Sequence, residues 1–331
     1  MNPPKCNEED YINFLIATPK TCSGTEAARV QPKQDDPPAH DAFTRLLHRL
    51  EPDAETMWQE AKTQVDFCAG ILVFDDSTLD KPFARQIELV TRHWSGKHHA
   101  VVRGINLMTL LWTDGDRHIP CDYRLYDKAK DGLTKNDHFQ QVLEKAHKRG
   151  FQPRCIAFDS WYASLPNLKK IRSFQWIWLT RLKHNRLVNP GRKGLVAISQ
   201  VEIGADGSIV HLPGYGLIRV FKIVATDGDI EHWATNDLQM SELTRIKYAN
   251  YAWTIENYHR GIKQFCNVER AQVRAARAQR NHIGLALRAF LRLEVHCYHK
   301  GISWFEAKTS IIREAVRVYL ANPLYTLDPT A

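Results

Sequence analysis

The seven cysteines of this 331-residue chain, at 6, 22, 68, 121, 155, 266 and 297, form no CxxC pair and no zinc-like spacing. That excludes a zinc ribbon and a thioredoxin-like redox motif and leaves scattered, reduced thiols. The nearest soft-metal cluster, His296, Cys297 and His299 in HCYH, has no second ligand pair nearby. No run reaches the roughly 18 apolar residues of a spanning helix, which argues against membrane association. MNPPKCNEED lacks the apolar core of a signal peptide, so a cytoplasmic protein is the expectation. Solenoid-type repeats and low-complexity tracts are also missing.

A 44% hydrophobic content is enough for a packed core, and the length suits one elaborated domain or a core with additions. Lys and Arg outnumber Asp and Glu by 45 to 37, giving a formal charge of +8 and a sequence pI near 9.1. That excess points toward a polyanionic partner.

Residues 1–62 read as helices. NEEDYINFLIA has an Asn cap and places Tyr11, Phe14 and Leu15 on one side. Ser23 or Thr25 can cap a short helix through TEAARV. A proline-rich loop separates it from DAFTRLLHRL, which carries Arg45, His48 and Arg49. This arrangement fits either a helix-turn-helix reader of DNA or a helical cap on the next domain. From Phe67 the pattern turns to strands: ILVFDDS, RQIELVTRHWSG, AVVRGINLMTLLWTDGD and RHIPCDYRLYD, with turns at Ser95-Gly96 and Asp114-Gly115. The helix NDHFQQVLEKAHKRG follows, with Phe139, Val142, Leu143 and Ala146 on one face and Gly150 as its stop.

CIAFDSW then repeats the pattern of ILVFDDS: an apolar strand, an aspartate at its C-terminal end, then serine. The helix between the two supplies the connection that a parallel pairing requires. Neighbouring strands would bring Asp159 and either Asp75 or Asp76 to one sheet edge. Carboxylates so placed repel unless a divalent cation sits between them. The alternative is that each aspartate caps the next turn. SFQWIWLTRLKHN reads as a further strand, and residues 186–238 as a small antiparallel β insertion with strands VEI, SIVHL, LIRVFKIVAT and IEHWAT and turns at ADG and TDG.

Helix resumes at SELTRIKY and runs through YAWTIENYHRGIK. There Glu256, His259, Arg260 and Lys263 share one face, beside an apolar stripe of Ile255, Tyr258, Ile262 and Phe265. Taken alone, this is also what a surface helix with a Glu256/Arg260 pair would show. Beyond it, Arg270, Arg274, Arg277, Arg280, Arg288 and Arg292 fall within 23 residues and fit phosphate contacts. A final amphipathic helix stops near Asn322-Pro323.

VFDDST, AFDSWYAS, HWATND and WTIENYHRGIK together resemble the DDE transposases of bacterial insertion sequences, the cut-and-paste group in which a β insertion separates the second Asp from the Glu. The resemblance covers roughly residues 65–300. It implies an α/β fold: a ribonuclease-H-like mixed sheet flanked by helices, with an antiparallel β insertion and an N-terminal helical region. The divisions would be 1–62, a core of 63–185 and 239–300, the insertion 186–238, and a C-terminal helical region 301–331. It implies Asp76, Asp159 and Glu256 as catalytic residues and metal ligands, with Asp75 as the alternative to Asp76, because adjacent strand residues face opposite ways. Two Mg²⁺ or Mn²⁺ ions are the expected cofactors.

The partners would be DNA, both the terminal inverted repeats of an element and its target, engaged by a homodimer. Lys263 stands where the family has its lysine, seven residues after the Glu. Ala252 and Ala249 stand where it has Arg and Tyr, with Tyr248 and Tyr251 close by. Lys263, Arg260, His259 and Tyr251 are therefore the expected phosphate contacts near the cut, with Arg45 and Arg49 as further DNA-binding candidates. Trp233 could stack on an unpaired base or serve as a hairpin tryptophan. A nuclease or resolvase without strand transfer, and an inactive transposase-derived DNA-binding protein, are the other readings of the same residues.

Overall fold

The computed structural model describes residues 3–19, 22–32, 35–95, 99–127, 130–224 and 228–325. Four helices come first: α1 (Glu8–Ala17), α2 (Gly24–Arg29), α3 (His40–Arg49) and α4 (Glu55–Ala61). Strands β1 (Ile71–Asp80), β2 (Thr91–Ser95), β3 (Ala100–Thr113) and β4 (Ile119–Tyr126) follow. Next come α5 (Lys135–Lys148), β5 (Ile156–Phe158), α6 (Leu165–Ser173) and β6 (Trp178–Leu182). The short pair β7 (Leu187–Val188) and β8 (Val196–Ala197) precedes β9 (Ser208–Leu212), β10 (Gly216–Val224) and β11 (Ile230–Thr235). The chain closes with α7 (Glu242–Gln264), α8 (Ala276–Lys300) and α9 (Trp304–Ala321).

Two compact units form. One comprises Ala54–Pro82 and Thr91–Tyr258, the other Met1–Asp53, Phe83–Val90 and His259–Ala331. The first is built on a sheet in the order β2-β3-β1-β5-β6-β11-β10-β9, with β4 also paired to β3. β1 lies antiparallel to β3 and parallel to β5, and β5 is parallel to β6. The parallel pairings use α5 and α6 as crossovers. α5 forms because Thr134 and Asp137 make a reciprocal capping box, and its face of Phe139, Val142, Leu143 and Ala146 is buried as the 3.6-residue period requires. Gly150, at φ +89°, ends it.

β1 reads as a continuous apolar run from Ile71 to Phe74 because those residues are buried on both faces. The β insertion expected over residues 186–238 joins the central sheet. β11 pairs antiparallel with β6, so β9 to β11 extend the central sheet and leave only β7 and β8 as a sheet of their own. Val201 to Ile203 form no strand. Only Thr91–Ser95 of RQIELVTRHWSG is a strand, and its turn at Ser95-Gly96, like the TDG turn, falls partly outside the described residues.

In the second unit, α8 is buried along most of its length and α1 and α3 pack on it. Asn7 and Asp10 form the capping box of α1, and Tyr11, Phe14 and Leu15 are buried as their spacing predicts. Polar ties reinforce this core. Asn281 Nδ2 donates to the carbonyls of Leu47 and Leu50, at 2.7 and 2.8 Å, and Asn267 Nδ2 to that of Leu15 at 3.0 Å. Residues 1–53 and the chain from His259 onward thus belong to one compact unit.

Candidate active site

The register of β1 against β5 pairs Leu72 with Ile156, Val73 with Ala157 and Phe74 with Phe158. In-register neighbours share a face; Asp75 and Asp159 are the residues that follow the last pair, and Asp76 turns to the opposite side from Asp75. The antiparallel register with β3 sets Asp75 opposite Thr109, whose hydroxyl lies 3.5 Å from that of Tyr258 on α7. Asp75 therefore occupies the side of the sheet on which α7 packs.

Asp76 faces α5. Phe74, on the same side, meets the rings of Phe139 and Tyr162 at 4.8 and 4.9 Å. The carboxylate of Asp76 accepts from three donors: Asn106 Nδ2 at 2.7 Å, Lys135 Nζ at 2.8 Å and the Tyr162 hydroxyl at 2.5 Å. Burial alone would raise its pKa, but Lys135, Tyr162 and Asn106 outweigh burial and hold it below the ordinary carboxylate range. Asp76, expected as the first metal ligand, is here a bonded, charge-compensated group.

Asp75 has the reverse environment. Burial is the largest effect and raises its carboxyl well above the ordinary range. The negative charge of Asp76 pushes the same way, as do the smaller effects of Glu256 and Asp159, against a backbone hydrogen bond at Asp76 that lowers it. Asp159 is exposed and caps a 3₁₀ turn, Ser160–Tyr162, through the Ser160 N–H, so the capping role expected as an alternative is present as well. Glu256 is exposed on α7. Among the described residues no three carboxylate, imidazole or thiol groups already stand close enough to form a complete cation cage. The charges of Glu256 and Asp159 both raise the pKa of the Asp75 carboxyl. A half-buried carboxylate repelled by three others and offering only hard oxygens fits a divalent cation of the Mg²⁺ type.

The expected DNA contacts take several roles. Arg260 is exposed, His259 is buried, and Lys263 pairs with Glu269 at 3.1 Å. Tyr251 packs its ring against the Asp114-Gly115 turn and lines a cavity of about 190 Å³ with Tyr248, Lys247 and Arg154. Trp233 is half-buried, its Nε1 donating to Glu231 at 2.8 Å, with Arg181 and Arg245 about 6 Å from its ring. Arg45 pairs with Asp41 at 2.6 Å, and Arg49 donates to the Cys6 carbonyl at 2.6 Å. On α8, Arg288 and Arg292 pair with Glu8 and Glu9, and Arg277 bonds Glu51 and the Leu50 carbonyl. These three arginines clamp the N-terminal helices.

Lys135, Asn106 and Tyr162 escaped the sequence reading. Tyr162 stands in the quoted AFDSWYAS, but nothing local links Lys135 to an aspartate 59 residues earlier.

A family profile described as the transposase DDE domain matches residues 66–292. No curated protein matches the sequence significantly. Among solved structures, the fold is similar to that of piggyBac transposase in a synaptic complex with hairpin DNA. The TM-score is 0.52 at 11% identity, covering 100% of this chain and 80% of that one. A lower similarity, TM-score 0.31 at 10% identity over 59% of this chain and 48% of the other, relates it to the Drosophila P element transposase in a strand transfer complex.

Proposed function

The chain belongs to the transposase DDE-domain family, and on that premise we propose that it binds the terminal inverted repeats of an element, cleaves there, and joins the 3′-hydroxyls to target DNA. The observation that supports this reading is the parallel register of β1 and β5, which ends at the pair Phe74 and Phe158 with Asp75 and Asp159 as the next residue of each segment. Asp75, Asp159 and Glu256 would hold two Mg²⁺ or Mn²⁺ ions. Such ions, when bound, supply a lowered pKa for the attacking water or 3′-hydroxyl and stabilise the leaving oxygen.

The side chains have distinct tasks. Asp75, rigid in its strand, fixes the inner edge of the site. Asp159 and Glu256 are both exposed, and on this reading they would complete the site from the end of β5 and from α7. Arg260 is the exposed cation one helical turn beyond Glu256, suited to a phosphate. Binding of two DNA ends implies a homodimer during reaction.

Asp159→Asn or Glu256→Gln should abolish Mg²⁺-dependent cleavage of element-end DNA while leaving binding in gel-shift assays largely intact. Cleavage at the wild-type rate by either variant would overturn the assignment. A pre-cleaved end carrying a free 3′-hydroxyl should be joined to a target duplex; hydrolysis without joining would instead indicate a nuclease.

A further inference from the structure

β5 has only three residues, so its ladder ends at Phe158 and gives the backbone of Asp159 no strand pairing. The next turn closes on its own backbone, the Tyr162 N–H donating to the Asp159 carbonyl at 3.0 Å, and side chains tie it to the core from two directions. The Tyr162 carbonyl accepts from Asn167 Nδ2 at 2.9 Å, and Asn167 is fully buried, bonded also to Asn136 at 2.7 Å and Gln140 at 2.9 Å. The Tyr162 hydroxyl donates to Asp76, the residue beside Asp75, and Asp76 is fixed in turn by Lys135 at the start of α5 and by Asn106 of β3. The Tyr162 ring is fully buried, stacked on Phe139 at 5.2 Å. One carboxylate thus joins β1, β3, α5 and the turn after β5, with Asp75 beside it in the middle of β1 and Asp159 directly after the end of β5.

We infer that Asp76, Lys135 and Tyr162 form a latch that sets the separation of Asp75 and Asp159, making them positioning residues for the divalent cation. The inference rests on the transposase reading. Hydrogen bonds made to the ligands themselves carry about 10- to 100-fold of metal affinity; the latch acts one residue away from Asp75, so the lower end of that range is expected, and none of the three groups would touch the ion.

Tyr162→Phe removes the hydroxyl and keeps the packed ring. Mn²⁺ binding to the full chain without DNA, followed by electron paramagnetic resonance of the free ion, should weaken about tenfold. The Mg²⁺ concentration for half-maximal cleavage should rise by a similar factor, with the rate at saturating Mg²⁺ close to wild type. A purely structural role would lower the maximal rate and leave half-saturation unmoved. Lys135→Gln, which keeps a donor but loses the charge, should shift both midpoints in the same direction and serves as the test if Tyr162→Phe fails to fold. Unchanged Mn²⁺ affinity in a folded variant, with the wild type binding normally, overturns the latch alone. Failure of the wild type to bind Mn²⁺ with or without DNA overturns the metal-dependent reading, and the latch with it.

Discussion

Two adjacent aspartates on β1 differ in environment because a strand turns successive side chains to opposite faces. That difference was half legible in the sequence: aligning VFD of ILVFDDS with AFD of CIAFDSW matches Asp75, not Asp76, to Asp159, and the observed register pairs Val73 with Ala157 and Phe74 with Phe158, the residues just before them. The donors that compensate Asp76 were not legible, since they come from three distant segments. The pair predicts a pH effect. Asp75, with its folded pKa raised, binds more protons folded than unfolded between the ordinary value of about 3.9 and its own. Stability therefore falls as pH rises through that interval. Asp76, lowered, contributes stability above the ordinary range and loses it in acid. In chelator, the thermal midpoint of the wild type should decline as pH rises from the carboxylate range toward neutrality. Asp75→Asn should flatten that decline and melt higher at neutral pH. Added Mg²⁺ should raise the wild-type midpoint and leave the variant unmoved. Parallel pH curves for the two proteins would contradict the assignment of charge repulsion to Asp75.

At the scale of elements, α7 reaches the sheet through specific seats, and one is a glycine. Gly115 has φ +108°, and a Cβ there would stand 2.5 Å from the Tyr251 ring. The turn was legible from Asp114-Gly115, because left-handed backbone favours glycine. Its partner was not, since Tyr251 was read as a phosphate contact from its place near the family's tyrosine. The same limit explains the insertion: its strands were visible as alternating segments, but the edge that β11 joins is set by tertiary pairing with β6. Gly115→Ala should destabilise by about 1–3 kcal/mol, through overpacking added to backbone strain. Urea unfolding of Gly115→Ala, Tyr251→Ala and the double variant measures this. If the ring contact is real, the double variant should lose less than the sum of the singles; strict additivity would show that the two residues do not meet.

For the whole molecule, the chain returns to its beginning. Its excess of positive charge was legible, but where that charge is spent was not. Arg277, Arg288 and Arg292 on α8, arginines that read as phosphate contacts, bind Glu51, Glu8 and Glu9 of the N-terminal segment. An autonomous DNA-reading domain in residues 1–62 would need a core of its own. Instead α1 and α3 turn Tyr11, Ile12, Leu15, Phe43 and Leu46 inward, in a unit whose third major member, α8, lies more than 200 residues later. Tyr11 bonds His282 at 3.0 Å, and the Leu47 and Leu50 carbonyls that follow α3's apolar face are satisfied by Asn281. Without α8 these groups would be exposed, and helices of ten residues are too short to persist alone in water. A fragment of residues 1–62 should therefore show low helicity by circular dichroism and no cooperative thermal transition. It should regain helicity when mixed with a fragment spanning 259–325, which supplies the missing face. A sharp, reversible unfolding transition in the 1–62 fragment by itself would refute this and restore the independent N-terminal domain.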